Sequence, residues 1–336
     1  MSSTTTQPIW TQPDWMERAA AWIHAELARL GIVVTGDIEQ PHVRVWSTVL
    51  RVPTADGAVY FKACTPLLAY EPALVDTLHR TYPDQFLRVL ATNLEQGWIL
   101  MVDGGTRLRE VIRADSDLSH WERLLPRYAE LQIELAGRTQ ELLALGVPDR
   151  QPAVLSRLAQ QLLENQETLL VGQHDGLPPA TYRRLCEMTP VIADQCRQLA
   201  ACGVPSSLNH GDLHDANIFI DGDDYLLFDW GDSSVSHPFF SLRTVFVSVE
   251  NSLHLAEGAP EFDRLRDAYL EPWTLFLPAA ELRSTFALAS RLSPLCSALS
   301  WHHGISAVDR SLVAEYASAI PSLFQEYFDL QDSAAG

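Results

Sequence analysis

Residues 208–232 read Leu-Asn-His-Gly-Asp-Leu-His-Asp-Ala-Asn-Ile-Phe-Ile-Asp-Gly-Asp-Asp-Tyr-Leu-Leu-Phe-Asp-Trp-Gly-Asp, with seven aspartates and not one lysine or arginine. Carboxylates that converge repel one another, raising their pKa values or opening the fold unless a cation neutralises them. A metal ion is therefore the first expectation. Asp212 is followed five residues later by Asn217, then by an apolar run, a polar turn at residues 221–224, a second apolar run and Asp229. A hairpin there returns the second strand to the first and brings Asp229 near Asn217, an oxygen-rich pair that suits Mg2+. Asp212 is expected beside them as a base, and Asp221, Asp223 and Asp224 are expected as turn chemistry. Asp215 and Asp232 face either an acceptor or the loop's own amides.

The same order, His-x-Asp, four residues, Asn, and then Asp-x-Gly, is that of a kinase catalytic loop and its metal-binding aspartate. Here the residues are His210, Asp212, Asn217 and Asp229-Trp230-Gly231. The form His-Gly-Asp-Leu-His-x-x-Asn, with Trp after the second metal aspartate, resembles the aminoglycoside phosphotransferase and choline kinase-like family of small-molecule kinases. The resemblance implies an α+β, two-lobed protein kinase-like fold: a small N-terminal lobe with an antiparallel sheet, residues 1–103, and a larger, mostly helical lobe, residues 104–336, carrying the catalytic loop. It also implies ATP or GTP and Mg2+ as cofactors and a small-molecule hydroxyl as acceptor.

Composition narrows the classes. A chain of 336 residues can bury a large core in two lobes. The formal net charge of -19 argues against a nucleic-acid partner, which wants a basic face. No membrane span is expected, since the charge-free stretch at residues 292–308 is broken by Pro294, His302, His303 and Gly304. Five cysteines without a Cys-x-x-Cys pair, and a start lacking a basic region and an apolar core, fit the reducing cytoplasm.

Of the 24 basic residues a single one, Lys62, is lysine. Arginine serves equally well at most surface sites, but it is a poor substitute where a compact ammonium must fit between phosphate oxygens. In the kinase reading Lys62 contacts the α- and β-phosphates, and Glu71 orients it by an ion pair.

Along the chain, residues 13–30 have the spacing of an amphipathic helix, with Trp15, Ala19, Trp22, Ile23, Leu27 and Leu30 on one face. Residues 43–53 and 58–63 read as strands about an Asp56-Gly57 turn, and a helix follows to about Arg80. Residues 86–92 and 98–102 read as two more strands. Asp103-Gly104-Gly105 then marks a hinge. Backbone groups of Met101 to Asp103 are expected to hydrogen-bond the adenine. Beyond it, Ser119-x-x-Glu122 reads as a capping box before a long helix, and residues 153–170 and 179–201 as two more. A helix is expected near Phe239, which leaves no room for the activation segment that a peptide-phosphorylating kinase needs.

The family's glycine-rich phosphate loop has no counterpart between Val43 and Val52, so phosphate cradling falls to Ser47 and Thr48. The segment His237-Pro238-Phe239-Phe240 also lacks the family's Gly-Asp-Pro and the aspartate after it. Trp273, Trp301, His302 and His303 are candidate lining for an acceptor pocket, or core. Two rival readings remain: a pseudokinase that binds nucleotide without turnover, and a zinc site on His210-x-Asp212-x-His214, which would need further ligands such as His237, His302 or His303.

Overall fold

The computed structural model describes residues 8–222, 224–256 and 258–335; the expected turn residue Asp223 lies outside them. Two compact units emerge. The first comprises Met1–Arg107, Asn217–Gly231 and His303–Ala314, and the second Leu108–Ala216, Asp232–His302 and Glu315–Gly336.

The first unit opens with a helix over Trp15–Arg29, stopped beyond Leu30 by Gly31. Five strands follow: β1 Glu39–Val43, β2 Ser47–Thr54, β3 Gly57–Cys64, β4 Val89–Asn93 and β5 Trp98–Val102. They form an antiparallel sheet in the order β1-β2-β3-β5-β4. The run expected as one strand over 43–53 is instead split at Arg44-Val45-Trp46, and the residues before it fold back as β1. The reason is local: the Arg44 amide donates to the Ser47 carbonyl, and the Thr48 hydroxyl donates to the His42 carbonyl.

Helix and sheet share one core. Trp15, Ala19, Ile23 and Leu27 recur every four residues, so they lie on one helix face. All four are buried, in a cluster with Leu50, Val52, Phe61, Ala63, Trp98 and Leu100. Trp15 and Phe61 meet the Trp98 ring edge-on or nearly so, at centroid distances of 6.3 and 5.5 Å. Between β3 and β4 a second helix, Glu71–Thr81, buries Leu74, Val75 and Leu78.

Past β6, Thr106–Arg107, the chain enters the second unit. Its helices include Leu108–Asp115, Ser119–Ala136, Pro152–Leu163, Pro179–Glu187, Thr189–Ala200, Ser241–Leu253, Pro260–Leu270, Ala279–Ile305 up to His302, and Ala319–Ala335. The helix expected over 179–201 is two, because Pro190 has no amide to give the Cys186 carbonyl, which accepts the Thr189 hydroxyl at 2.7 Å instead. The helix expected to Leu170 ends at Leu163. The Ser119 capping box does not form; Ser119 is already helical, and Asp117 accepts from its amide and its hydroxyl.

Besides β6, three very short strands of the second unit escaped the sequence reading. These are β7 Asp149–Arg150, β8 Ser207–Asn209 and, two residues past Asp232, β11 Ser234–Ser236. They pair in the order β7-β11-β8 within the second unit. Between β8 and β11 come β9 Ile218–Asp221 and β10 Asp224–Leu227, which form the expected hairpin in the first unit, with β9 pairing β6 on its other side.

Candidate active site

Lys62 lies near the end of β3, opposite Val49 on β2 and Ile99 on β5, and is only 8% exposed. Its ammonium donates to Glu71 Oε1 at 2.7 Å and to Asp229 Oδ1 at 2.6 Å. Burial opposes the charge, but the two carboxylates outweigh it and hold the ammonium pKa well above the ordinary lysine value. An isolated buried ammonium would instead lose its proton.

Glu71 has a second duty that the sequence did not announce. The same Oε1 accepts the Trp230 amide at 3.0 Å, and Oε2 accepts the buried Cys64 thiol at 3.0 Å. Burial, then the neighbouring Glu71 charge, push the Cys64 pKa well up, so this thiol is a hydrogen-bond donor and not a nucleophile. Tyr70, one residue earlier, donates its hydroxyl to the Gly231 carbonyl at 2.6 Å. Asp229, Trp230 and Gly231 are thus each gripped, in turn, by Lys62, Glu71 and Tyr70. The grip stabilises an unusual backbone, since Asp229 has φ of 64°, a left-handed conformation that costs a non-glycine residue on the order of 1 kcal/mol or more.

The β9–β10 hairpin explains why Asp229 arrives beside Asn217. Ile218 pairs with Leu227, and one step outward the Phe228 amide donates to the Asn217 carbonyl at 3.2 Å. Asn217 is 5% exposed, whereas the Asp229 side chain is 45% exposed. A carboxylate and an amide carbonyl on adjoining chain segments offer oxygen donors only, the chemistry of a Mg2+ site that keeps waters and phosphates as its other ligands. Among the described residues no three His, Cys, Asp or Glu side chains are grouped to hold a metal ion.

The remaining expected nucleotide contacts lie in the same unit. Ser47 begins β2 and is buried, while the neighbouring Thr48 hydroxyl is engaged with His42 and Gln40. Met101 is on β5, and Asp103, just beyond it, uses its carboxylate to accept the Gly105 amide at 3.0 Å. Gly104 must be glycine, since a Cβ there would lie 2.2 Å from the Phe219 ring of β9.

Asp212 belongs to the second unit, on the loop that leaves β8. The loop's stem is tied down from three sides. The Tyr128 hydroxyl accepts the His210 amide, the Gln132 side chain donates to the Leu208 carbonyl at 2.8 Å, and the Ser241 hydroxyl donates to Asn209 Oδ1 at 2.7 Å. Burial pushes the Tyr128 hydroxyl up to about 12, so it stays neutral. Gly211, at φ of 81°, leaves no room for a Cβ, which would sit 2.2 Å from the Asp232 carbonyl.

Within the loop, His210 is fully buried and its Nδ1 accepts the Asp212 amide at 3.3 Å, a structural use of the ring. Asp215, left ambiguous above, does not face outward. It is fully buried, with Oδ1 accepting from Arg109 Nε at 2.7 Å, Oδ2 accepting from the Ser252 hydroxyl at 2.5 Å, and its amide donating to Ser248. Asp212 stays 40% exposed, with His214 Nε2 at 3.3 Å from its Oδ2.

The sequence profile of the phosphotransferase enzyme family (APH) matches residues 16–282, the greater part of the chain. The chain belongs to this family. Solved structures agree on the fold. A choline kinase of Streptococcus pneumoniae is 13% identical with a TM-score of 0.59, covering 94% of this chain and 99% of that one. An ethanolamine kinase of Plasmodium vivax is 15% identical with a TM-score of 0.55, covering 92% and 90%. A type I macrolide 2'-phosphotransferase is 13% identical with a TM-score of 0.56, covering 90% and 97%. No curated protein sequence matches the chain. The protein is a small-molecule kinase with the α+β, two-lobed fold of its family.

In this phosphotransferase several side chains around the expected residues were missed: Tyr70, Cys64, Arg109, Ser252 and Tyr128. Only Tyr70 left a local signal, as the residue before Glu71 at the helix start. The others reach their partners through the fold. Of the aromatic and histidine candidates for an acceptor pocket, Trp273 is fully buried against Phe239 and Phe276. Trp301 stacks on Tyr316 with centroids 5.7 Å apart, and His303 Nε2 meets the Leu67 carbonyl at 2.8 Å.

Proposed function

We propose that the protein moves the γ-phosphoryl group of ATP, with GTP as the other candidate donor, to a hydroxyl of a small molecule in the cytoplasm. The observation that carries this reading is the meeting of Lys62, Glu71 and Asp229, a cation and two carboxylates from positions up to 167 residues apart in sequence. A neutralised acidic cluster around the chain's single lysine is what a nucleotide triphosphate site requires. No helix among the described residues is long and apolar enough to cross a membrane.

Residue roles follow from this chemistry. Residues 1–103 bind nucleotide, with Lys62 donating to the phosphates, Glu71 orienting it, Ser47 supplying backbone near the phosphates, and Met101 and Asp103 offering backbone groups to the base. Residues 104–336 bring the acceptor, and Asp212 takes its hydroxyl proton. Asn217 and Asp229 would hold Mg2+, which when bound neutralises phosphate charge. Because the phosphoryl transition state is loose, alignment of donor and acceptor carries most of the rate.

Structures similar in fold to this chain include a choline kinase, an ethanolamine kinase and a macrolide 2'-phosphotransferase, which supports an acceptor of the aminoglycoside, amino sugar or amino alcohol type. The acidic net charge of -19 favours such a cationic acceptor. The competing reading is a pseudokinase, motivated by the absent glycine-rich loop. A panel of hydroxyl acceptors incubated with ATP or GTP and Mg2+, reading ADP or GDP release, separates the two. Turnover lost in Asp212→Asn is expected; nucleotide binding with no turnover on any acceptor sinks the enzyme reading.

A further inference from the structure

Gln132 is the one carboxamide among the buried residues of the helix Ser119–Ala136, and nothing of it reaches solvent. A buried amide is costly unless both of its ends find partners. Here both ends are used. Oε1 accepts the Tyr269 hydroxyl at 2.5 Å, from the helix Pro260–Leu270. Nε2 donates to the Leu208 carbonyl of β8 at 2.8 Å and, at 3.2 Å each, to the Tyr128 and Ser241 hydroxyls. The Gln132 backbone carbonyl accepts the Ser207 hydroxyl as well.

The protons of this cluster can be followed one by one. Ser241 gives its proton to Asn209 Oδ1, so its 3.1 Å contact with the Tyr128 hydroxyl is made with the Tyr128 proton. Tyr128 is then an acceptor for the His210 amide and for Gln132 Nε2. Tyr269 directs its proton to Gln132 Oε1 and the Pro238 carbonyl. A reversed carboxamide would set Oε1 against the Leu208 carbonyl, two acceptors with no proton between them. Gln132 therefore has one orientation.

What it holds is the start of the Asp212 loop. Leu208 is bonded directly, Asn209 through Ser241, and His210 through Tyr128. Asn209 Oδ1 in turn accepts the Gly211 amide at 3.1 Å. We propose that Gln132 is a positioning residue for the reaction: the fixed orientation of its carboxamide sets the course of residues 208–211 and hence the place to which Asp212 is delivered. The inference rests on Asp212 being the base.

The test exchanges the amide for a carboxyl of the same shape. In Gln132→Glu the protonated carboxyl donates to the Leu208 carbonyl and still accepts from Tyr269, whereas the ionised form turns an acceptor on Leu208. Burial raises the pKa of a carboxyl, which brings this titration toward neutral pH. Among the described residues the titratable groups hydrogen-bonded to Gln132 are the phenols of Tyr128 and Tyr269. Burial pushes the first up to about 12 and the second well above the ordinary tyrosine value, so neither titrates with it.

With full-length protein, MgATP and an accepted hydroxyl substrate, the ratio of Gln132→Glu kcat to wild-type kcat is expected to rise about fivefold or more as the pH falls from about 8.5 to about 6. Gln132→Met is expected to lose about 10- to 100-fold in kcat at every pH, the scale of a misplaced catalytic group, with KM for ATP within about threefold of wild type. A role in stability alone shifts Tm with pH but leaves kcat per folded molecule at a constant ratio. A flat ratio for Gln132→Glu, or a Gln132→Met kcat within about threefold of wild type, overturns the inference. Asp212→Asn, run alongside, tests the reading beneath: if it still turns over, Asp212 is not the base, whatever the Gln132 variants do.

Discussion

The two charged clusters, one in each unit, are built in opposite ways. Around Lys62 everything is long-range: the ammonium, Glu71 and Asp229 come from a strand, a helix start and a hairpin end, and the Cys64 thiol and the Tyr70 hydroxyl complete the grip. Around Asp212 the stem of the loop is held by Tyr128, Gln132 and Ser241, but within the loop the restraints are local, a run of side chains taking amides two residues ahead. The difference matches the tasks. A group that must stay charged while buried needs several partners with fixed geometry, and the Lys62 cluster also supports a strained Asp229 backbone. A proton acceptor needs to stay exposed, basic and aimed, so light, local restraint suits it.

If this contrast is right, the largest effect on rate comes from the exposed carboxylate. Asp212→Asn is expected to lower kcat by about 10^3-fold, within the range for losing a general base, while MgATP affinity measured by calorimetry changes by less than about threefold. Comparable loss of affinity would mean that the base loop also builds the nucleotide site.

Lys62→Met is the converse. It leaves Glu71 and Asp229 facing each other without a cation, and breaking a buried pair by removing one member costs about 3–5 kcal/mol; with Asp229 partly exposed the lower end is expected. Thermal unfolding without nucleotide should therefore show a clear drop in Tm, which Lys62→Arg does not restore, because a planar guanidinium does not fit the ammonium's place. A variant as stable as wild type would show that the cluster is no structural keystone.

The ring-to-amide device itself can be probed by pH. His237 uses it too, accepting the Phe239 amide, but it is buried, and among the described residues no charged group offsets that burial. Burial lowers its pKa to about 3. A folded-state value below the unfolded 6.5 means that the unfolded chain binds the proton first, so stability is full above pH 6.5 and falls as the pH drops toward 3, by about 1.4 kcal/mol per unit. Replacing His237 with glutamine should flatten the acid limb of a denaturation series between pH 6.5 and 4. An unchanged limb would assign it to other groups.

The smallest expected effect is that of Tyr70→Phe, which removes the hydroxyl from the Gly231 carbonyl. Loss of one buried hydrogen bond costs about 1 kcal/mol or somewhat more when the carbonyl is left unsatisfied. Nucleotide KM is expected to rise about two- to fivefold with kcat nearly unchanged. A larger fall in kcat would extend the grip on residues 229–231 into catalysis.

What the sequence made legible has a physical pattern. The hairpin that brings Asp229 to Asn217 is written in contiguous residues, two apolar runs about a polar turn, and so can be read off directly. The single lysine is conspicuous by chemistry alone. The buried state of Asp215 cannot be read in this way, since it depends on Arg109, 106 residues earlier, and on Ser252 in a later helix. The strands β7, β8 and β11 are two or three residues long, too short to show a period of two, and only their mutual pairing defines them. The failed capping box at Ser119 shows competition between neighbours, since Asp117 is the stronger acceptor two residues before it.

A chain with one lysine also has one ε-amine, and that amine is buried in an ion triad. Reagents that acylate lysine, and enzymes that acetylate or ubiquitinate it, find no ε-amine on the surface to act on. Any stoichiometric ε-acylation must therefore report the opening of this cluster. That turns mass-spectrometric labelling of Lys62 into a direct readout of how often the triad comes apart, with protection by added nucleotide measured on the same peptide.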